Sequence, residues 1–257
     1  MRVLRFTPKP GSELGSDPLF GILEEDEQTI SIINGDPLFN GVAKNGKQTK
    51  LSEIRLLAPV LPRSKVVCVG KNYSDHAKEM GGEVPAEPII FLKPNTSVIG
   101  PNDVINWPWM SERIDHEAEL AIVIGRICKD VPRERATEVI FGYTIANDIT
   151  ARDLQSRDGQ WTRAKGFDTF CPIGPWIDTD FIPGNQEISC NVNGELKQRA
   201  TLNQMMFGVG EIIHFISSVM TLLPGDVILT GTPAGIGPIP EKGSVTCAIS
   251  GLGELTN

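Results

Sequence analysis

Asp115-His116-Glu117-Ala118-Glu119-Leu120-Ala121-Ile122-Val123-Ile124 is the most informative run in the chain. From Ala118 onward it is an apolar strand. Side chains in a strand alternate between its two faces. Glu117 and Glu119 therefore share one face, while Ala118, Leu120, Ile122 and Ile124 take the other. His116 falls on the face away from the glutamates and is excluded as a partner of theirs. Two neighbouring carboxylates at the head of a buried strand repel one another, and burial disfavours their charged forms. A bound divalent cation relieves both costs. A donor set made only of oxygen suits Mg²⁺, Mn²⁺ or Ca²⁺ rather than Zn²⁺. Taken alone, such a pair also fits a solvent-facing strand end, so further acids have to be found.

The next one follows a second strand, Thr144-Ile145-Ala146-Asn147, which ends in Asp148. Directly after it comes Ile149-Thr150-Ala151-Arg152-Asp153-Leu154-Gln155. If a helical turn begins there, Arg152 and Gln155 share a face. The strand end then presents an acid, a guanidinium and an amide together. A guanidinium can clamp a carboxylate through two parallel hydrogen bonds. The commoner fate of an isolated arginine is a surface ion pair.

Outward from this centre the chain reads as mixed and β-rich. Its 26 glycines and 19 prolines supply many turns. Residues 1–60 form a small N-terminal β unit, with short apolar runs at Val3 to Phe6, Leu19 to Leu23 and Ile30 to Ile33. Lys44-Asn45-Gly46-Lys47-Gln48 reads as a turn, and Leu56 to Pro62 as a linker. Residues 61–257 form the larger domain. Val66 to Val69, Ile89 to Leu92, Val139 to Asn147 and Val227 to Thr230 are its further strands, with Ile89 to Leu92 taken as buried. A short helix is expected from Asp75 to Met80, capped by Ser74 and Asp75 and stopped at Gly81-Gly82. A longer one is expected from Val209 to Leu223, with His214 as a structural residue.

A formal net charge of -8, without a basic run, disfavours nucleic-acid binding. It would also repel anionic substrates unless local cations or a metal ion offset the field. No run of about 18 apolar residues suggests a membrane span. The N-terminus lacks a signal-peptide pattern. The five cysteines include no Cys-x-x-Cys pair. Reduced thiols in a cytoplasmic protein are expected, none of them catalytic. Gly231 to Gly237 is glycine-rich but has neither a P-loop nor a dinucleotide spacing. It reads as a backbone loop that presents Thr232.

Several separated motifs resemble the fumarylacetoacetate hydrolase family over residues 66–257. They are Gly70-Lys71-Asn72-Tyr73-Ser74-Asp75-His76, Phe91-Leu92-Lys93-Pro94, Glu117-Ala118-Glu119-Leu120, Asn147 to Gln155, Trp161 to Phe167, and Gly225 to Pro233. The resemblance implies a mixed β-sandwich-like roll. It implies Glu117, Glu119 and Asp148 as ligands of Mg²⁺ or Mn²⁺, and His76 with Glu79 as a water-activating pair. Lys165, Arg152, Gln155 and Thr232 match positions that contact substrate or its developing charge. It implies a homodimer as well. The expected activity is hydrolytic cleavage of a C–C bond in an acylpyruvate-type 2-oxo acid through an enolate. Isomerisation of 2-hydroxyhepta-2,4-diene-1,7-dioate and decarboxylation of oxaloacetate are alternatives on the same site. A non-catalytic 2-oxo-acid or metal-binding protein is the alternative of another class. Intact His76, Glu79 and Lys165 argue against it.

Overall fold

The strand Ala118–Ile124 is buried at every position, and its two faces enter different parts of the core. Leu120, Ile122 and Ile124 pack with Ile188, Val245 and Ile249. Ala121 and Val123 pack instead with Val66, Ala146, Ile173 and Val227. Alternation along one strand thus joins two apolar layers, which is the signature of a sheet covered on both sides. The fold is mixed and β-rich. The computed structural model describes residues 1–81 and 84–257.

Ala118–Ile124 lies inside a 12-stranded sheet. Antiparallel Ile140–Asn147 flanks it on one side and Val227–Leu229 on the other. Beyond Val227–Leu229 the sheet continues through Val66–Gly70 to Ile89–Lys93. In the opposite direction it passes through Cys171–Asp178 to Arg2–Pro8 and the other N-terminal strands. The first strand docks by pairing Arg2 with Asp178 and Val3 with Ile177. Leu4, Phe6, Leu23, Ile30, Ile32 and Ile54 form a separate apolar cluster there. A four-stranded sheet, ordered Glu195–Thr201, Glu187–Val192, Val245–Ile249 and Gly253–Thr256, covers the Leu120 face. A small three-stranded sheet joins Thr150–Ala151, Ile114–His116 and Gly237–Pro238.

Several local expectations need correction. Lys44–Lys50 is a strand rather than a turn. It is the outermost strand of its sheet and only Thr49 is buried, so no apolar alternation marks it. Ile89–Lys93 is a strand but not a buried one, with Ile89 38% and Leu92 47% exposed. It too is an edge. Leu56 and Leu57, expected in a linker, belong to the strand Ile54–Leu57. The long helix spans Val209–Val219 and ends before Leu223, with Leu222 bridging to Cys128.

The short helix spans Ser74–Glu79, and Tyr73, not Ser74 or Asp75, occupies the N-cap position, without a side-chain capping hydrogen bond. Gly81 after it is left-handed, with φ 68°. Gly82, the other expected stop residue, lies outside the described residues. His214 in the long helix sits with Nδ1 2.9 Å from the carbonyl of Val131. No helix among the described residues is long and apolar enough to cross a membrane.

Ile122 is fully buried between the central sheet and its cover. Ile122→Ala is expected to lower unfolding free energy by about 2–5 kcal/mol. Urea unfolding checks this, and an unchanged midpoint would contradict the assigned packing.

Candidate active site

Glu117 stands where the chain leaves one sheet for another, between the strands Ile114–His116 and Ala118–Ile124. Its N–H donates to Asn147 Oδ1 at 2.9 Å, and its carbonyl accepts from the N–H of Asp148 at 2.8 Å. The register that pairs Ala118 with Asn147 therefore brings Asp148 beside both glutamates. Ligand oxygens of Glu117, Glu119 and Asp148 all lie within 4.8 Å of one another. The three residues are 4%, 2% and 1% exposed, so the cluster is an interior feature. Glu119 Oε2 accepts from the N–H of Gly231 at 2.6 Å. A Cβ at Gly231 would sit 2.6 Å from Asn72 Cβ, and φ is +99°, so glycine is what allows this approach.

Three cations surround the acids. Lys165 Nζ reaches Glu117 Oε2 at 2.9 Å, Asp148 Oδ2 at 2.6 Å and Thr150 Oγ1 at 2.8 Å. Lys93 Nζ lies 2.5 Å from Asp148 Oδ1 and 3.2 Å from the carbonyl of Ile149. Arg152 donates from Nη2 to Glu117 at 2.5 Å, from Nε to Asp115 at 2.9 Å and from Nη1 to Gln155 at 2.6 Å. The expected Arg152–Gln155 pairing thus exists, on the helix Arg152–Asp158.

The charges divide unevenly. Burial raises the Glu117 pKa, but Lys165, Arg152 and His76 outweigh it and hold Glu117 below the usual carboxylate range. Burial also opposes the charge on Lys165, and Asp148 and Glu117 override it, so its pKa rises. Glu119 differs. Burial first, then Asp148 and Glu117, push it well above the usual range. Among the described residues Glu119 has no ion pair, and only a backbone N–H reaches it. A buried carboxylate without a cation, facing two more carboxylates, is the arrangement a hard divalent ion compensates. The oxygen-only donor set fits Mg²⁺ or Mn²⁺.

His76 and Glu79 sit on the short helix Ser74–Glu79, with Nδ1 and Oε2 3.1 Å apart. Glu79 also accepts from the N–H of Gly235, at 3.1 and 3.3 Å to its two oxygens, which ties the helix to the glycine-rich loop. One pocket is lined by all nine expected residues except Glu79, which contacts His76. Its walls include Phe91 and Trp161, packed edge to face at 5.1 Å. Thr232 is 2% exposed, and its Oγ1 accepts from Gln198 Nε2 at 2.8 Å, leaving its own O–H to donate. His116 stands apart from the acids, with Nδ1 3.1 Å from Gln198 Oε1.

Sequence reasoning missed the residues that support this centre. Lys93 is fully buried on Asp148, yet in sequence it looks like the polar end of an apolar run. Asn72 fastens two loops, donating to Phe207 O at 3.0 Å and Thr230 O at 2.8 Å. Asp115 holds Arg152, and Gln198 reaches from a different sheet. Only the presence of Lys93 and Asn72 inside quoted motifs pointed to them.

A central strand with one acid in it and one just before it, a neighbour that ends beside a third, and a histidine–glutamate pair at one pocket define a β-fold with a candidate metal site. Residues 65–257 match the family described as Fumarylacetoacetate (FAA) hydrolase C-terminal, and residues 1–59 match one described as Rv2993c-like, N-terminal. The chain belongs to the fumarylacetoacetate hydrolase family. It is 49% identical to the crystal structure of 2-hydroxyhepta-2,4-diene-1,7-dioate isomerase from Mycobacterium marinum, covering 100% of this chain and 97% of that one at a TM-score of 0.89. It is 43% identical to oxaloacetate tautomerase FAHD2B, mitochondrial, of Bos taurus, over 91% of this chain and 77% of that protein. A crystal structure of fumarylpyruvate hydrolase from Pseudomonas aeruginosa in complex with Mn²⁺ and pyruvate is 35% identical, over 79% and 90% of the two chains, at a TM-score of 0.71.

Lys93→Met is expected to destabilise the chelator-treated protein by about 3–5 kcal/mol, because it removes one of two cations from a buried carboxylate. Denaturant unfolding at neutral pH measures this. Stability equal to the parent would show that Asp148 does not depend on Lys93.

Proposed function

We propose that this protein is a divalent-metal-dependent enzyme that hydrolyses a C–C bond of a small acylpyruvate-type 2-oxo acid. The observation that carries this reading is the buried carboxylate triad, with Glu119 lacking a cation partner, in one pocket with the His76–Glu79 pair. Glu117, Glu119 and Asp148 would hold Mg²⁺ or Mn²⁺. When bound, the ion supplies Lewis acidity at the 2-oxo oxygen and offsets the acidity of the site. The Mn²⁺- and pyruvate-bound fumarylpyruvate hydrolase supports the choice of ion and of substrate class.

Each residue then has a task. Arg152 and Gln155 orient the substrate carboxylate; Nη2 of Arg152 keeps one N–H without a partner among the described residues. Glu79 fixes the ring of His76 through Nδ1, and His76 Nε2 takes a proton from water. The resulting hydroxide adds to the acyl carbonyl carbon. The bond from that carbon to C3 breaks, and its electron pair forms the pyruvate enolate. Lys165 offsets the negative charge growing on the enolate oxygen. Return of the proton held on His76 to C3 completes pyruvate, and the acyl part leaves as a carboxylic acid. Thr232 donates its free O–H into the pocket.

Isomerisation is the second reading, favoured by the 49% identity to the M. marinum isomerase. It uses the same enolate but moves a proton between carbon atoms without adding water. The N-terminal β unit (1–60), the catalytic domain (61–257) and a homodimeric assembly belong to the same proposal. The separate Leu4–Phe6–Ile30 cluster, against which Trp176 of the larger unit also packs, supports the division.

The test follows acetylpyruvate, oxaloacetate and 2-hydroxyhepta-2,4-diene-1,7-dioate by ultraviolet absorbance after chelator treatment, with and without Mn²⁺. Restored loss of acetylpyruvate, absent in Glu119→Gln, is the expected result. Turnover of the diene-dioate alone would replace hydrolysis by isomerisation. Turnover unaffected by chelator or by Glu119→Gln would overturn the metal reading.

His76→Ala is expected to lower kcat by about 10²–10⁴-fold with metal affinity retained, as loss of a general base does. Thr232→Val is expected to weaken both substrate affinity and turnover. Parent-like kinetics in either variant would remove that residue from the mechanism.

A further inference from the structure

The outer strand of the four-stranded sheet, Glu195–Thr201, inverts the usual polarity. Leu196 is 49% exposed, while Gln198 is fully buried and is the only buried residue of the strand. A register shift accompanies the inversion. Cys190 pairs with Gln198 and Asn191 with Leu196, which leaves Lys197 as an extra residue. Such bulges re-aim the side chains beside them. Gly235 of the glycine-rich loop packs on this bulge: a Cβ there would collide with the Lys197 carbonyl oxygen, and φ is +96°. The bulge thus brings a strand of the covering sheet against the loop that carries Thr232.

All four hydrogen-bonding positions of the Gln198 amide are filled. Oε1 accepts from the N–H of Ala118 at 3.0 Å and lies 3.1 Å from His116 Nδ1. Nε2 donates to the carbonyl of Pro233 at 2.8 Å and to Thr232 Oγ1 at 2.8 Å. The two backbone partners fix which end of the amide is which. The Ala118 N–H can only donate and the Pro233 carbonyl can only accept. Exchanging oxygen and nitrogen would set donor against donor and acceptor against acceptor. Nε2 therefore presents an N–H, never a lone pair, to Thr232 Oγ1. The proton of Thr232 has to point elsewhere. Among the described residues no protein acceptor takes it, and Thr232 lines the pocket. A threonine hydroxyl left to itself rotates freely between donor and acceptor roles.

We infer that Gln198 is a positioning residue that locks the Thr232 hydroxyl as a one-way hydrogen-bond donor to the pocket. The ligand atom that meets Thr232 must then be a pure acceptor, such as a carboxylate or enolate oxygen. This rests on the 2-oxo-acid reading of the site, and adds a residue outside the pocket that sets its hydrogen-bond polarity. A purely structural Gln198 would need only its bonds to Ala118 and Pro233, which tie the central sheet to the loop.

Calorimetry with oxalate, all of whose oxygens are acceptors, on the Mn²⁺-loaded protein separates the two roles. Gln198→Glu keeps the shape of the side chain but has at most one donor, so Thr232 can turn its O–H back toward it. Gln198→Glu and Thr232→Val are each expected to weaken oxalate about tenfold, as loss of one hydrogen bond does. In the Thr232→Val background Gln198→Glu is expected to cause no further loss. Weakening that persists in that background, or parent-like affinity in Gln198→Glu, would overturn the inference. Neutron diffraction from crystals of the parent protein reads the same point without any variant. Deuterium on Thr232 Oγ1 directed into the pocket is expected, and deuterium directed at Gln198 would overturn the lock. Failure of oxalate to bind the Mn²⁺-loaded parent would overturn the 2-oxo-acid reading, and the deuterium position would still decide the lock.

Discussion

Three carboxylates confined within 4.8 Å in the interior of a sheet set the terms for everything around them. Like charges that close, almost free of solvent, are strongly unfavourable unless cations or hydrogen-bond donors face them. Lys165 and Lys93 on Asp148, and Arg152 with Lys165 on Glu117, meet that demand at two of the three acids. The third, Glu119, receives the N–H of Gly231. The elements that carry these groups come from widely separated parts of the chain. The acidic centre therefore ties the central sheet to the helices and loops over it, and its charge is bound up with the fold's stability as well as with its chemistry.

The same constraint shapes the pocket. Lys165 directs all three of its N–H donors at Glu117, Asp148 and Thr150. In the proposed mechanism, a cation that neutralised Glu117 and Asp148 would free that ammonium, so metal loading and substrate activation would be coupled through one side chain. His76 approaches from the opposite side on a short helix that Glu79 anchors to Gly235. The site consequently has a rigid floor built on strands and a wall built on a helix and a loop.

Much of the acidic centre was legible in sequence because period-2 alternation is a local signal. Glu117 and Glu119 flank Ala118, and Leu120, Ile122 and Ile124 continue the other face into the core. The union with Asp148 depends on register, which a local pattern does not encode; the resemblance to a family supplied it. Lys93 and Asn72 were illegible as supports because a buried lysine or asparagine looks like any polar residue until its partner is known. Edge strands failed for the opposite reason. Lys44–Lys50 buries only Thr49, and Ile89–Lys93 exposes Ile89 and Leu92, so polarity and apolarity there do not report which side faces the core.

The central claim is that the three carboxylates form one binding site for a divalent ion, and diffraction from crystals grown with Mn²⁺ tests it most directly. The account predicts a single strong anomalous peak in contact with Glu117, Glu119 and Asp148, with Lys165 shifted from its bridging position. No peak among the three acids, with Lys165 still bridging Glu117 and Asp148, would contradict it.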